Sequence, residues 1–289
     1  MNKVNKYILA ILFIIPTSNI YAACSGGTCC SVSSGVTTIA ADTSCDIEPD
    51  IYSIVMKKFY LCTSEPSAPT ASAAVQYTSA GCTQIVSASS GSTVAITPGG
   101  DAQTFPGAEF TRPPAGVYTH GVILMDNVFT VNWKKEFNAR HFGGDGSSQG
   151  LYCATVAGSG NESDNGSTTC SDDSTLTGGS WASTLRSFDG SESDVFVVTR
   201  TNLNNTGSDI SGYLVTSDEQ LTTSKGAVTD LIGIQSFANP VVVTKDFRGI
   251  NFAFGVNQGS HIWDSDGGST VKIEAGGGPF QVVLTPLSY

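Results

Sequence analysis

Charge is scarce in this chain. Charged residues make up 13% of its 289 positions, against roughly 25% in ordinary soluble domains. Positive charge is the scarcer sign: 14 Lys and Arg face 25 Asp and Glu, for a net charge of −11. A surface of that sign repels phosphate backbones and argues against a nucleic-acid partner. Histidine is rarer still. His120, His141 and His261 stand far apart in the sequence, so HExxH and related helical zinc motifs are absent. Paired CxxC spacing is absent as well, which argues against zinc as the purpose of the cysteines. Beyond the N-terminus no stretch approaches the roughly 18 consecutive apolar residues of a membrane helix, so no membrane span is expected.

What fills the space is Gly, Ser, Thr and small apolar residues, the mix of an exported β-rich protein. The chain opens MNKVNKYILAILFIIPTSNIYA, with Lys3 and Lys6 ahead of a short apolar core and then small and polar residues. That is the layout of a secretory signal peptide, expected over residues 1–22 with cleavage after Ala22. The product is expected outside the cell or on its surface, with the periplasm as the alternative.

Eight cysteines follow, Cys24, Cys29, Cys30, Cys45, Cys62, Cys82, Cys153 and Cys170. In an exported chain an even set reads as disulfides. Cys62 and Cys82 bracket one turn-rich stretch and Cys153 and Cys170 another, so each is paired with its neighbour. Loops of that size contribute on the order of 3 kcal/mol each on the chain-entropy estimate. The adjacent Cys29 and Cys30 need different partners, which leaves Cys24–Cys29 with Cys30–Cys45, or Cys24–Cys30 with Cys29–Cys45. A lipid anchor at Cys24 is disfavoured, because Tyr21 stands where a lipobox has Leu, and lipidation would leave an odd number of thiols.

Strand signals dominate the rest. Ile51 to Cys62, IYSIVMKKFYLC, is rich in β-branched and aromatic residues without Gly or Pro and reads as the first firm strand. Shorter candidates follow at Ala74 to Tyr77, Thr83 to Val86 and Thr93 to Thr97. GVYTHGVILMDNVFTVNWKKEF reads as a hairpin turning at Asp126-Asn127, residues that tolerate positive φ. A Gly/Ser/Asp-rich stretch leads to a second strand set at Val195 to Arg200, Ile210 to Thr216, Val241 to Thr244, Ile250 to Val256, Ser269 to Glu274 and Phe280 to Leu287. Only Gly226 to Phe237 offers a short helix. The expected fold is all-β, a disulfide-stapled antiparallel β-sandwich in two modules with little helix. Its organisation reads as a cysteine-rich loop region at 23–48, a β-sandwich module at 49–139, a connection carrying the Cys153–Cys170 loop at 140–194, and a second β module at 195–289.

No catalytic set emerges. Gly146-Ser-Ser-Gln-Gly150 matches G-x-S-x-G around Ser148, but it lacks the strand-turn-helix context that gives the motif meaning, and a Ser/Gly loop is the better reading. No cofactor is expected, with calcium as the one alternative. Asn161, Asp164, Asn165 and Asp172 loosely follow calcium-loop spacing, and Asp264 and Asp266 form a second fragment, each weighed against a plain solvated turn. Trp133, Trp181 and Trp263 belong mostly to a core, with a sugar-stacking platform as the functional alternative. The sequence thus points to a non-enzymatic structural or adhesive surface protein, with an assembling subunit as one form of that role and itself or a cell-surface glycan as partner. A carbohydrate-binding module comes second and a secreted glycan hydrolase third.

Overall fold

A computed structural model describes residues 30–98, 103–161, 166–189, 193–202, 207–266 and 270–288. The export signal, Tyr21, Cys24, Cys29, Asp164 and Asn165 lie outside the described residues. The described chain is nearly all strand: β1 Ser31–Ser33, β2 Val36–Thr38, β3 Ser44–Ile47, β4 Ile51–Cys62, β5 Thr83–Ile96, β6 Glu109–Phe110, β7 Gly116–Asp126, β8 Val128–Asn132, β9 Lys134–Gly143, β10 Gln149–Thr155, β11 Gly158–Asn161, β12 Thr168–Ser171, β13 Trp181–Thr184, β14 Val197–Arg200, β15 Ile210–Val215, β16 Asp230–Val243, β17 Phe247–Gly255, β18 Ser260–Asp264, β19 Lys272–Gly277 and β20 Gln281–Ser288. They form a ten-stranded sheet, an eight-stranded sheet and the separate pair β17–β20. The two large sheets are curled, and most pairings are antiparallel, with β11–β13, β19–β9 and β2–β9 parallel.

The larger sheet is organised by β4. One of its edges carries β5. The other carries β7 against Met56–Cys62 and then β8 against Ile51–Ser53. The hairpin expected at Asp126-Asn127 therefore does not form: the chain runs on in one direction. Met56 faces Met125 while Ser53 faces Thr130, so three steps along β4 match five along its neighbour, and the surplus is absorbed as a jog. Neither Asp126 nor Asn127 takes the positive φ of a type I′ turn. Instead Asn127 is buried and clamps the next strand: the Leu185 amide donates to its carbonyl at 2.7 Å, and its Nδ2 donates to the Leu185 carbonyl at 2.9 Å. Lys57, at a bulge in β4, sits between the Asp126 and Asp230 carboxylates of the two neighbouring strands. Burial works to lower the Lys57 ammonium, but those two acids outweigh it and hold its pKa above the ordinary value.

The stretch expected as a short helix is a 3₁₀ turn, Lys225–Ala227, followed by β16. Residues 230–235 are buried without interruption, because β16 is covered on both faces. A strand of that kind is a continuous apolar run, which periodicity alone does not separate from helix. β16 also pairs with β7 from Asp230↔Asp126 to Val243↔Gly116, so the two stretches expected as separate modules share one sheet. The 140–194 stretch, expected as a connection, carries β10 to β13. Residues 31–47, expected as loop, form β1 to β3, with Ser34 and Gly35 both at positive φ in the β1–β2 turn.

Part of the outer face of the larger sheet is roofed, whereas Val117 and Val242, paired farther along β7 and β16, are exposed. Tyr60, Val122, Leu124, Ile232 and Ile234 form a second apolar cluster with Val75 and Tyr77, which come from the loop pinned by Cys62–Cys82. Ala74 to Tyr77, expected as a strand, is this roof, and Tyr77 stacks on Tyr60 at 4.1 Å. The inner face carries the main core, where Phe59 meets Phe252 of β17 edge to face at 5.1 Å. The smaller sheet runs β1-β2-β9-β19-β18-β3, with β10 and β12 on the other edge of β9. Cys30 bonds Cys45 of β3, and its amide donates to the Asp46 carbonyl at 3.2 Å. That bond draws the start of β1 onto the far edge of its own sheet and curls it. Cys153 bonds Cys170 between the register-paired β10 and β12. Three disulfides fit an oxidising, exported environment. Among the described residues no helix is long and apolar enough to cross a membrane.

Candidate functional site

A cleft of about 560 Å³ opens between the two sheets, within the size range of pockets that hold small ligands. Its first wall is built by strand alternation. β3 pairs with β18, and β18 with β19, so that Asp46, His261 and Gly276 lie in one row and Ser44 and Trp263 lie in the next. Side chains two apart share a face, which turns these residues to the cleft while Cys45, Ile262 and Ala275 go to the core. Asp46 is 6% exposed, and its Oδ1 lies 2.7 Å from His261 Nδ1. A carboxylate only accepts, so a proton sits on Nδ1, and in the neutral ring the Nε2 lone pair is left for another partner. The His261 side chain is 41% exposed and stacks at 24° on the Trp263 ring. Gly276, opposite His261, leaves a floor flanked by Ser183 Oγ and the Trp263 ring, 3.3 and 3.4 Å from where its Cβ would stand.

The second wall is the inner face of the larger sheet. Val198, Ile210, Leu231, Met125 and Phe129 line it, with Leu185, Phe188 and Phe280 beside them. Gly212 pairs directly with Gly233 in its middle. A Cβ at Gly212 would stand 3.1 Å from Phe188 and 3.2 Å from Val198, and one at Gly233 would stand 2.9 Å from Ile123. The two glycines thus let apolar neighbours close in and keep the wall smooth. Asp189 and Arg200 complete the lining.

The other candidate residues have structural partners. Ser148 Oγ donates to Asp145 Oδ1 at 2.9 Å and accepts from the Cys170 amide at 2.9 Å, so the would-be nucleophile fastens a turn. Burial works to raise the Asp145 carboxyl, but the Ser148 and Ser147 amides and the Ser148 hydroxyl hold its pKa below the ordinary value. The residues before it belong to β9, which is exposed over residues 138–140. His120 lies in β7, with Nδ1 2.9 Å from Thr119 Oγ1, and burial lowers its pKa against the pull of Glu65. His141 is 4% exposed, its Nε2 has no hydrogen-bond partner among the described residues, and burial lowers its pKa against the pull of Asp264.

Four of the calcium candidates, Asn161, Asp172, Asp264 and Asp266, lie among the described residues. Asn161 ends β11 in the larger sheet, whereas Asp172 follows β12 in the smaller one, accepts from the Leu151 amide and pairs with Arg140 at 2.7 Å. Asp264 Oδ1 accepts from the amides of Asp266 and Lys272, and Oδ2 from that of Asp42, so its oxygens serve as a turn cap. Among the described residues no three acidic, His or Cys groups stand together as a metal cluster.

Trp133 is fully buried and donates from Nε1 to Ser260 Oγ, and Trp181 is 7% exposed, so both are core. Trp263 is the tryptophan left for a ligand. Its partnership with His261 is legible in SHIWD, where alternation puts the two on one face. Asp46, Arg200 and the Gly212–Gly233 pair carry no local signal and come from long-range pairing. No protein-family model, curated protein or solved structure matches this chain.

Proposed function

We propose that this is an exported, non-enzymatic β-sandwich protein with an adhesive role, which recognises a saccharide in the cleft between its sheets. The observation that carries the reading is the first wall: a partly buried Trp263 ring beside the His261–Asp46 pair, with Ser44 and Ser183 within the same lining. A sugar ring has an apolar C–H face for the indole and hydroxyls for His261 Nε2 and the serines. Ser148 is engaged in a turn, its Oγ donating to Asp145 and accepting from the Cys170 amide, which supports a binding role over hydrolysis. The test is a glycan array with the full chain and with Trp263→Ala. Hits that disappear in the variant are expected, and an array without hits would sink the reading.

Self-assembly is a second reading, favoured by one observation. β14 ends the larger sheet as an edge strand with Val197 41% exposed, the kind of edge that adds a strand from another copy. Sedimentation across a concentration series decides it, since a monomer at every concentration excludes it.

A further inference from the structure

We infer that the saccharide taken by the cleft carries an apolar substituent on its ring, a 6-deoxy methyl or the methyl of an N-acetyl group, and that this substituent seats against the second wall. The inference rests on the saccharide reading above and goes further, to the class of sugar. Its ground is the chemical difference between the walls. Trp263, His261 and Asp46 offer a stacking face, a lone pair and a buried carboxylate. Val198, Ile210 and Leu231, across the cleft, offer no hydrogen-bonding atom from their side chains, and the Gly212–Gly233 pair between them adds none.

A sugar held by its hydroxyls on the first wall presents its far side to that apolar surface. If the far side carries another hydroxyl, the group loses water and gains no partner, which costs on the order of 10-fold in affinity. If it carries a methyl, burial is favourable by roughly 4-fold per methyl-sized group. Both effects point the same way, so a sugar bearing the methyl is preferred over its hydroxylated counterpart by about 10-fold or more. Arg200, register-paired with Ile210, and Asp189 also line the cleft and are polar enough to hold the rest of a glycan.

The experiment is calorimetric titration of the full chain with matched pairs that differ in one group: 6-deoxygalactose against galactose of the same hand, and N-acetylglucosamine against glucose. The expected result is a preference of about 10-fold or more for the methyl-bearing member of one pair, and the pair that shows it identifies the substituent. Val198→Ser, on an edge strand and half-buried, is expected to erase the preference, read as the ratio of the two affinities within a pair. Equal affinity within both pairs would overturn the inference and leave the saccharide reading standing. Binding of 1-anilinonaphthalene-8-sulfonate in the cleft, with no response to any sugar, would overturn both in favour of a lipid-like ligand. Because the wild-type titration decides between these outcomes by itself, a variant that fails to fold does not rescue the inference.

Discussion

The two sheets of this molecule are held together by different means. At the centre of the larger sheet, β4, β7 and β16 are long and apolar on both faces, one face joined to the main core and the other to a roof anchored by Tyr77 and Val75. The smaller sheet has shorter strands and a buried lining that is often polar: Thr37, Asp46, His141, Ser167, Thr168 and Glu274 are all buried. It carries two of the three disulfides found among the described residues. Glu274, with no measurable exposure, has no basic partner among the described residues; its carboxylate accepts from the amides of Gly166 and Ser167, each at 3.0 Å, and from Ser167 Oγ at 2.5 Å. Gly144 leaves room for it, since a Cβ there would stand 2.2 Å from Glu274 Oε2. Where apolar side chains are plentiful, burial suffices. Where the sequence turns to Gly, Ser and Thr, crosslinks and saturated hydrogen-bond acceptors take over.

The comparison predicts that the larger sheet fails by cavity and the smaller by loss of a pin. Phe59→Ala removes a side chain that is 1% exposed and in edge-to-face contact with Phe252. It is expected to cost about 4 kcal/mol in a urea titration, and to melt both sheets together because they share the main core. Cys153→Ala with Cys170→Ala releases a crosslink of sequence separation 17. About 3 kcal/mol is expected from the chain-entropy estimate, with new proteolytic cuts confined to residues 149–171. Cuts across β4 or β16 would contradict the division of labour between the sheets. Glu274→Gln leaves a carboxamide N–H₂ among donors that need an acceptor, and about 2 kcal/mol is expected. An unchanged melting temperature would show that the pin holds nothing.

The smallest effect is a pH dependence in the smaller sheet. Burial depresses the His141 pKa below its ordinary value of 6.5, so the unfolded chain takes up the proton more readily than the folded one. Stability is then full above about pH 6.5 and declines as pH falls through that value toward the lowered pKa. His120 in the larger sheet is shifted the same way. His141→Phe is expected to flatten the decline between pH 7.5 and 5 in urea midpoints, and an unaltered decline would assign the acid sensitivity elsewhere.

Much of this was legible in the sequence, and the limits have a physical origin. Ile51–Cys62 is a strand of the bounds its composition suggests, because β-branched and aromatic residues without Gly or Pro carry a local signal. The Cys62–Cys82 and Cys153–Cys170 pairings were readable from the turns they bracket. Asp126-Asn127 misled because those residues permit a reversal without requiring one, and the partner strand β4 decided that the chain runs on. Strands β10 to β13 were hidden because a Gly/Ser/Thr strand clamped by a disulfide and paired on its edges needs no apolar alternation of its own. Of the cleft, His261 and Trp263 could be placed on one face from SHIWD alone. The acid that fixes His261 could not, since Asp46 is 215 residues away.

The sequence by itself determined the strand-rich class, the export-type cysteine set, the sign and scarcity of charge, and which side of each firm strand is apolar. All of these depend on residue type and on spacing within a few residues. Tertiary structure decided which strands are neighbours, and with that the sharing of one sheet by distant segments, the curl imposed by Cys30–Cys45, and a cleft whose two walls differ in chemistry. Alternation along a strand is a local property of the backbone. The choice of partner across the sheet is settled only when the whole chain buries its apolar faces together.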